Sequence, residues 1–236
     1  METMSSAMLE IPQYYRWLVR QFQEHLGRTV LDVGTGPGIH LPFLEGRRVI
    51  AADLSEACLS DIRRRFPRVE TIHADVSDPA LADRVAALGI DTVTCLNVLE
   101  HIADDGRALD TWRAILGARR GRLVLMVPAH QALYGSLDRL AGHLRRYSRR
   151  GLVRLLESRG FDVLSARHFN VVGGIAWWLN AKLLSVRDLS APAVNRQIRF
   201  FGTVVLPVAR AADRVLIGGL RLPFGQSLIA VATPRG

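Results

Sequence analysis

Asp32, Gly34, Gly36 and Gly38 stand at alternate positions directly after the apolar pair Val30 and Leu31. Such a run reads as a buried strand that stops abruptly. Glycines at its end tolerate positive φ and let a ligand approach the backbone closely. Pro37 has no N–H to lose and suits the first turn of a helix. The expected local structure is strand, tight turn, helix N-terminus, with N–H groups and the positive helix end facing the turn. Asp53 lies about twenty residues past the first glycine, where a strand–helix–strand unit sets an acid against ribose hydroxyls. Together these residues point to capture of a nucleoside ligand. Asp32 narrows the choice, because a carboxylate before the glycines repels pyrophosphate and attracts an ammonium.

In this form, D-x-G-x-G-x-G, the stretch resembles the first motif of the class I S-adenosylmethionine-dependent methyltransferases, and more narrowly the bacterial type 11/12 group. S-adenosylmethionine has an ammonium and a sulfonium and no phosphate. The resemblance implies that Asp32 holds the methionine ammonium by hydrogen bonds or water. It implies that Gly34, Thr35, Gly36 and Gly38 shape the backbone approach, with Asp53 and Leu54 at the ribose. Asp75 and Val76 match the adenine position, and Asn97 the end of the fourth strand. The implied reaction is in-line displacement at the sulfonium methyl, in which alignment alone is worth up to ~7–11 kcal/mol.

Three histidines are candidates for a general base: His101, His130 and His143. His101 closes Asn97-Val98-Leu99-Glu100-His101, similar to an E-x-L-E-H segment with which ubiquinone-pathway O-methyltransferases and small-RNA 2′-O-methyltransferases hold Mg²⁺. Here Asn97 replaces the first acid. Mg²⁺ prefers carboxylates and waters, so no metal is expected; His101 reads as a base or as a structural partner of Glu100. His130 and His143 belong to Pro128–Arg139 and His143–Tyr147, which resemble the P-x-H-x-x-L-Y/W and H-x-R-R-Y elements of a bacterial type 11/12 subgroup. That connection gathers Tyr134, Asp138, Arg146 and Tyr147, read as substrate contacts, with mutual bonding inside a long loop as the plainer alternative.

The elements that must position these groups alternate. A helix over residues 9–26 carries Ile11, Tyr15, Leu18, Phe22 and Leu26 at helical spacing and packs on the core or covers the cofactor; the resemblance makes 1–27 a lid segment. Strands are expected at about 29–33, 49–52, 69–73, 91–96 and 122–127, separated by helices, the first short and distorted by Pro42. Ser55 and Ser148 read as N-caps, Asp78-Pro79 as a cap with proline at N1, and Gly89 and Gly160 as helix ends. Strands at 161–168 and 227–232 follow. The expected fold is a single α/β domain over 1–236: a seven-stranded, doubly wound, Rossmann-like methyltransferase sheet with its last strand antiparallel. The resemblance places that strand between the fifth and sixth. Residues 169–225 then form an apolar helical cap inserted between the last two strands. Its Trp177 and Trp178 are substrate candidates, and its surface is a possible peripheral membrane or homodimer contact.

Length and charge set bounds. A chain of 236 residues buries enough surface to need no staple, and Cys58 and Cys95 make no disulfide framework. No basic region followed by an apolar run opens the sequence, so a leader is not expected and the cytoplasm fits. The net charge of +9 raises a nucleic-acid partner, but Lys182 is the only lysine and the arginines are dispersed, as coding bias produces. No nucleic acid is expected. The reading is an S-adenosylmethionine-dependent methyltransferase acting on a small lipophilic or aromatic acceptor at O or N. Two rivals are a non-methylating protein on the same fold, a cyclase or accessory subunit, and a nicotinamide-dependent oxidoreductase.

Overall fold

The computed structural model describes residues 11–117, 121–173, 200–217 and 224–236. Seven strands form one sheet: β1 Thr29–Val33, β2 Arg48–Asp53, β3 Glu70–His73, β4 Thr92–Leu96, β5 Arg122–Pro128, β6 Phe161–Phe169 and β7 Ser227–Pro234. Their order is β3-β2-β1-β4-β5-β7-β6, with β7 antiparallel to both neighbours and the other pairs parallel. The order reverses between β1 and β4, which makes their carboxyl ends the crevice where such sheets bind ligands.

The helices are α1 Pro12–Arg20, α2 Glu56–Arg65, α3 Ala80–Val85, α4 Asp105–Gly117, α5 Ser136–Leu140, α6 Arg149–Ser158 and α7 Leu206–Ile217. Period-two alternation along the strands feeds two cores. Leu31, Val33, Ile50, Ala52, Leu123 and Leu125 pack with Leu81, Trp112 and Leu156 on one face. Val30, Val49, Ala51, Val124 and Met126 pack with Tyr14, Trp17, Leu18 and Leu206 on the other. Trp112 is fully buried, and its indole N–H donates to the Val76 carbonyl at 2.8 Å, locking α4 to the end of the β3 edge. The Ser55 hydroxyl accepts from Cys58 N–H and that of Ser148 from Gly151 N–H, so both helices start where the capping residues predict.

Two local expectations are corrected. The helix expected over 9–26 ends at Arg20 and is followed by a 3-10 turn at Gln23–His25. The chain must bend there to enter β1, whose start is pinned by Asp91 accepting from the N–H groups of Arg28 and Thr29. The helix expected after the glycines is only a 3-10 turn, Leu41–Leu44. Gly34, Gly36 and Gly38 all have positive φ (66°, 53°, 66°), a geometry that no right-handed helix contains. The turn's N–H groups are bonded within the protein, those of Gly34 and Thr35 to the Ala52 carbonyl, Gly36 to Asp53 and Gly38 to the Thr35 carbonyl, and no α-helix end faces the crevice. Of the cap at 169–225, residues 171–173 and 200–217 are helical; Trp177 and Trp178 lie outside the described residues. No described helix is long and apolar enough to cross a membrane.

Candidate active site

The carboxyl edge of the sheet concentrates unusual backbone. Besides the three glycines after β1, Asn97 (φ 56°), His130 (φ 62°) and Asn170 (φ 60°) are left-handed, and they lie just past the ends of β4, β5 and β6. Non-glycine residues in this region cost free energy, and such strain clusters at functional sites.

The glycine turn is held from both sides. Asp53 accepts from Gly36 N–H at 2.8 Å and from Ser55 N–H at 2.8 Å, tying the turn to the end of β2. A Cβ on Gly34 would lie 2.5 Å from a Val98 methyl, whereas one on Gly36 would meet nothing within 4 Å. Gly36 thus faces open space, a cradle with an acid at its wall. Asp32 is 1% exposed. Its oxygens meet His40 Nε2 at 2.8 Å and the Thr94 hydroxyl at 2.6 Å. Burial pushes the Asp32 carboxyl up, but the His40 ring and the hydroxyl bonds outweigh it and hold it below the usual range. Asp32, read from sequence as holding the methionine ammonium by hydrogen bonds or water, bonds these two side chains, which ties β1, β4 and the turn to one another.

Thr35 is buried in the turn, and Leu54 beside Asp53 is 66% exposed, an apolar side chain open at the β2 end. Asp75 accepts from the N–H and hydroxyl of Ser77, which hold it below the usual carboxylate range. Val76 is buried against Trp112, and Asn97 is exposed at the β4 end. These residues follow the carboxyl ends of β1, β2, β3 and β4.

The segment after β5 corrects three substrate readings. Asp138 is 0% exposed and accepts from Arg146 Nε at 2.8 Å and from Gly135 N–H at 2.9 Å. Arg146, also buried, donates to the Ala129 carbonyl as well. Tyr147 is buried and donates to Asp105 at 3.0 Å. Each was expected to face an acceptor; each is instead consumed internally, because a buried charge or hydroxyl must be paired. Their work is to shape the connection. Tyr134 donates to the His143 carbonyl and is partly exposed.

The three histidines separate. His130 lies between His168, stacked at 4.9 Å with planes 4° apart, and Phe224 at 5.0 Å. Its Nε2 is buried with no hydrogen-bond partner among the described residues. Burial, then the Arg146 charge, lowers its pKa. His101 and His143 instead face each other edge-on at 4.8 Å, beside Glu100. Glu100 is 0% exposed, and neither of its carboxylate oxygens has a hydrogen-bond partner among the described residues. Burial pushes its pKa up to about 8.

His40, Thr94, His168 and Phe224 were not singled out from the sequence. His40 carried a usable signal, two positions past the last glycine; the others are brought in by sheet pairing and strand ends.

Fold and rim define a doubly wound α/β protein with a nucleoside-cofactor site at its switch point. A methyltransferase domain family model matches residues 10–166. The chain is 29% identical over 142 residues to a probable S-adenosylmethionine-dependent methyltransferase of Mycolicibacterium smegmatis, covering 58% of this chain and 53% of that one. It is 28% identical over 192 residues to a ubiquinone biosynthesis O-methyltransferase of Azotobacter vinelandii, covering 78% and 77%. A solved S-adenosylmethionine-dependent methyltransferase from Archaeoglobus fulgidus superposes with a TM-score of 0.60 at 17% identity over 94% of both chains. The chain spans about half the length of the mycobacterial relatives it matches. It belongs to the methyltransferase domain family, whose cofactor is S-adenosylmethionine. The residues present fit that cofactor: an open glycine cradle at Gly36, a carboxylate at the end of β2 and another after β3.

Proposed function

We propose that this protein transfers a methyl group from S-adenosylmethionine to a hydroxyl or amine on a small lipophilic or aromatic acceptor. The observation that carries this reading is the turn after β1, three left-handed glycines with open space at Gly36 and the Asp53 carboxylate bonded across it. The cofactor supplies a methyl already activated by its sulfonium. The chain's task is to hold it and align an acceptor, with Asp53 and Leu54 at the ribose and Asp75 and Val76 at the adenine. Asp32 acts through His40 on the shape of the turn.

His130 is the best-placed base. Burial and the Arg146 charge favour its neutral form, the form that accepts a proton. A positioned base adds about 10²–10⁴ in rate. A lipophilic acceptor is supported by Phe224 stacked on His130 and by the apolar composition of 169–225. The Azotobacter relative, named for ubiquinone biosynthesis, also favours it. Phe200, Val204 and Val208, 58%, 50% and 60% exposed, leave a face for a membrane surface or a second copy, which vesicle flotation and sedimentation separate.

The test is transfer of labelled methyl from S-adenosylmethionine to a panel of phenols, quinols and hydrophobic amines beside polar, charged acceptors. Product from the lipophilic set, lost in His130→Ala with cofactor binding kept, is expected. Product from polar acceptors alone overturns the acceptor class, and cofactor binding without any transfer favours a non-methylating role.

A further inference from the structure

The arginine runs of this chain divide by what neutralises them. In Arg63-Arg64-Arg65, Arg63 bonds Glu56 and the other two bond Asp61. Arg145 and Arg146 bond Asp105 and Asp138. Arg149, Arg150 and Arg154, on α6, bond no acid among the described residues. Arg149 uses only its Nε, which donates to the Ala166 carbonyl at 2.7 Å. Arg150 and Arg154 are exposed, with no hydrogen bond or ion pair among the described residues.

Folding does not favour this placement. The three cations stand in the first two turns of α6, whose first turn holds no acid. That is the end where the helix dipole opposes positive charge. Arg150 and Arg154 are four apart, a like-charge pair that repels. With Val153 between them, the three arginines line a cleft of about 350 Å³, the size of a small-ligand pocket. Guanidinium forks match phosphate oxygens two at a time, and three such forks suit a group with three oxygens and two charges better than a carboxylate.

The cleft adjoins the candidate base on two sides. His130 N–H donates to the Tyr147 carbonyl at 2.9 Å, and Arg149 follows Tyr147 by two residues, so their Cα atoms are within about 7 Å. Arg149 also reaches Ala166, two residues before the His168 that stacks on His130.

We propose that the α6 cleft binds a phosphate or diphosphate group carried by the acceptor. Arg149, Arg150 and Arg154 hold the anion, and the apolar part of the same molecule runs toward His130. The acceptor is then an amphiphile with an anionic end. Its link to the base rests on the methyl-transfer reading; binding of the anion stands without it.

The experiment is calorimetric titration of the full chain with geranyl diphosphate, and separately with geraniol and inorganic pyrophosphate. Saturable binding of geranyl diphosphate is expected, at least about tenfold tighter than that of geraniol, with weaker binding of pyrophosphate. Arg150→Gln and Arg154→Gln should each weaken it about tenfold. Both side chains are exposed and make no bond among the described residues, so the variants fold. Arg68→Gln removes the same charge from an exposed arginine elsewhere and should leave the affinity unchanged. Equal affinity for geraniol, retention in the double variant, or the same loss in Arg68→Gln overturns the proposal. Flotation with phosphatidylglycerol vesicles, lost in the double variant while the wild type ignores geranyl diphosphate, would make the cleft a membrane contact and also overturns it. Titration with S-adenosylhomocysteine separates the two readings. Diphosphate binding without cofactor binding removes methyl transfer and keeps the anion site, and cofactor binding without diphosphate binding does the reverse.

Discussion

Replacing Gly34 and Gly36 separately by alanine separates what folding needs from what the cofactor needs. Both residues have positive φ, 66° and 53°, so each alanine incurs the left-handed penalty of about 1–2 kcal/mol. Only Gly34 meets an obstacle. Its new Cβ would lie 2.5 and 2.6 Å from the two Val98 methyls, against an ordinary carbon–carbon contact of about 3.5–4.0 Å. Overpacking of this kind costs about 1–3 kcal/mol more. Gly34→Ala should therefore lose roughly 2–5 kcal/mol of stability in urea denaturation, and Gly36→Ala only about 1–2. Val98→Ala in the Gly34→Ala background should recover the steric part, a coupling of about 1–3 kcal/mol in a double-mutant cycle. Binding should rank differently. A methyl at Gly36 fills the open cradle, so affinity for S-adenosylhomocysteine should fall at least tenfold, about 1.4 kcal/mol, in a chain that remains folded. Equal destabilisation by the two alanines, or no recovery through Val98, would refute the steric reasoning; unchanged affinity in Gly36→Ala would refute the cradle.

Asp53→Ala should weaken S-adenosylhomocysteine binding at least about tenfold in calorimetry, since it removes both the acid and the tie to Gly36 N–H; unchanged affinity removes the ribose assignment. Arg146→Met strips the guanidinium from the buried Asp138, leaving it the His143 ring and Gly135 N–H, and should cost up to about 3–5 kcal/mol in denaturation, part of it regained by adding Asp138→Asn; a cost below 1 kcal/mol contradicts the pairing. His168 titrates near pH 4 in the folded chain, lowered by burial and then by His130 and Arg149. The unfolded chain binds the extra proton between about pH 6.5 and 4, so this contribution is complete above 6.5 and is lost as pH falls to 4. Discounted for partial exposure, His168→Leu should lose roughly 1–2 kcal/mol less than wild type between those limits; parallel pH profiles contradict it.

Much of the fold was legible because local chemistry dictates it. Ser55, Ser148, Gly89 and Gly160 bound helices at the expected places, and alternating apolar runs fix all seven strands within a residue or two. Asp53 and Asp75 were legible as acids at strand ends, and there they accept from the N–H groups of Gly36 and Ser55 and of Ser77. What stayed hidden depends on tertiary pairing. Asp138, Arg146, His143 and Tyr147 form a visible cluster in sequence, yet nothing local tells which partner each takes; the structure joins Asp138 to Arg146 and His143 and sends Tyr147 to Asp105. Glu100 in L-E-H reads from sequence as part of an E-x-L-E-H-like segment and a partner of His101, and its complete burial is set by tertiary closure. The helix after the glycines failed for a local reason: Gly38 itself is left-handed, so the helix cannot begin at Pro37.

The central claim is that the glycine turn and Asp53 hold S-adenosylmethionine. Calorimetric titration with S-adenosylhomocysteine, with NADH as the control, tests it most directly. Saturable one-to-one binding of S-adenosylhomocysteine and none of NADH is expected. Binding of NADH in preference, or of neither ligand by the folded chain, would contradict it, and the assignments of Asp53, Leu54, Asp75 and Val76 would fall with it.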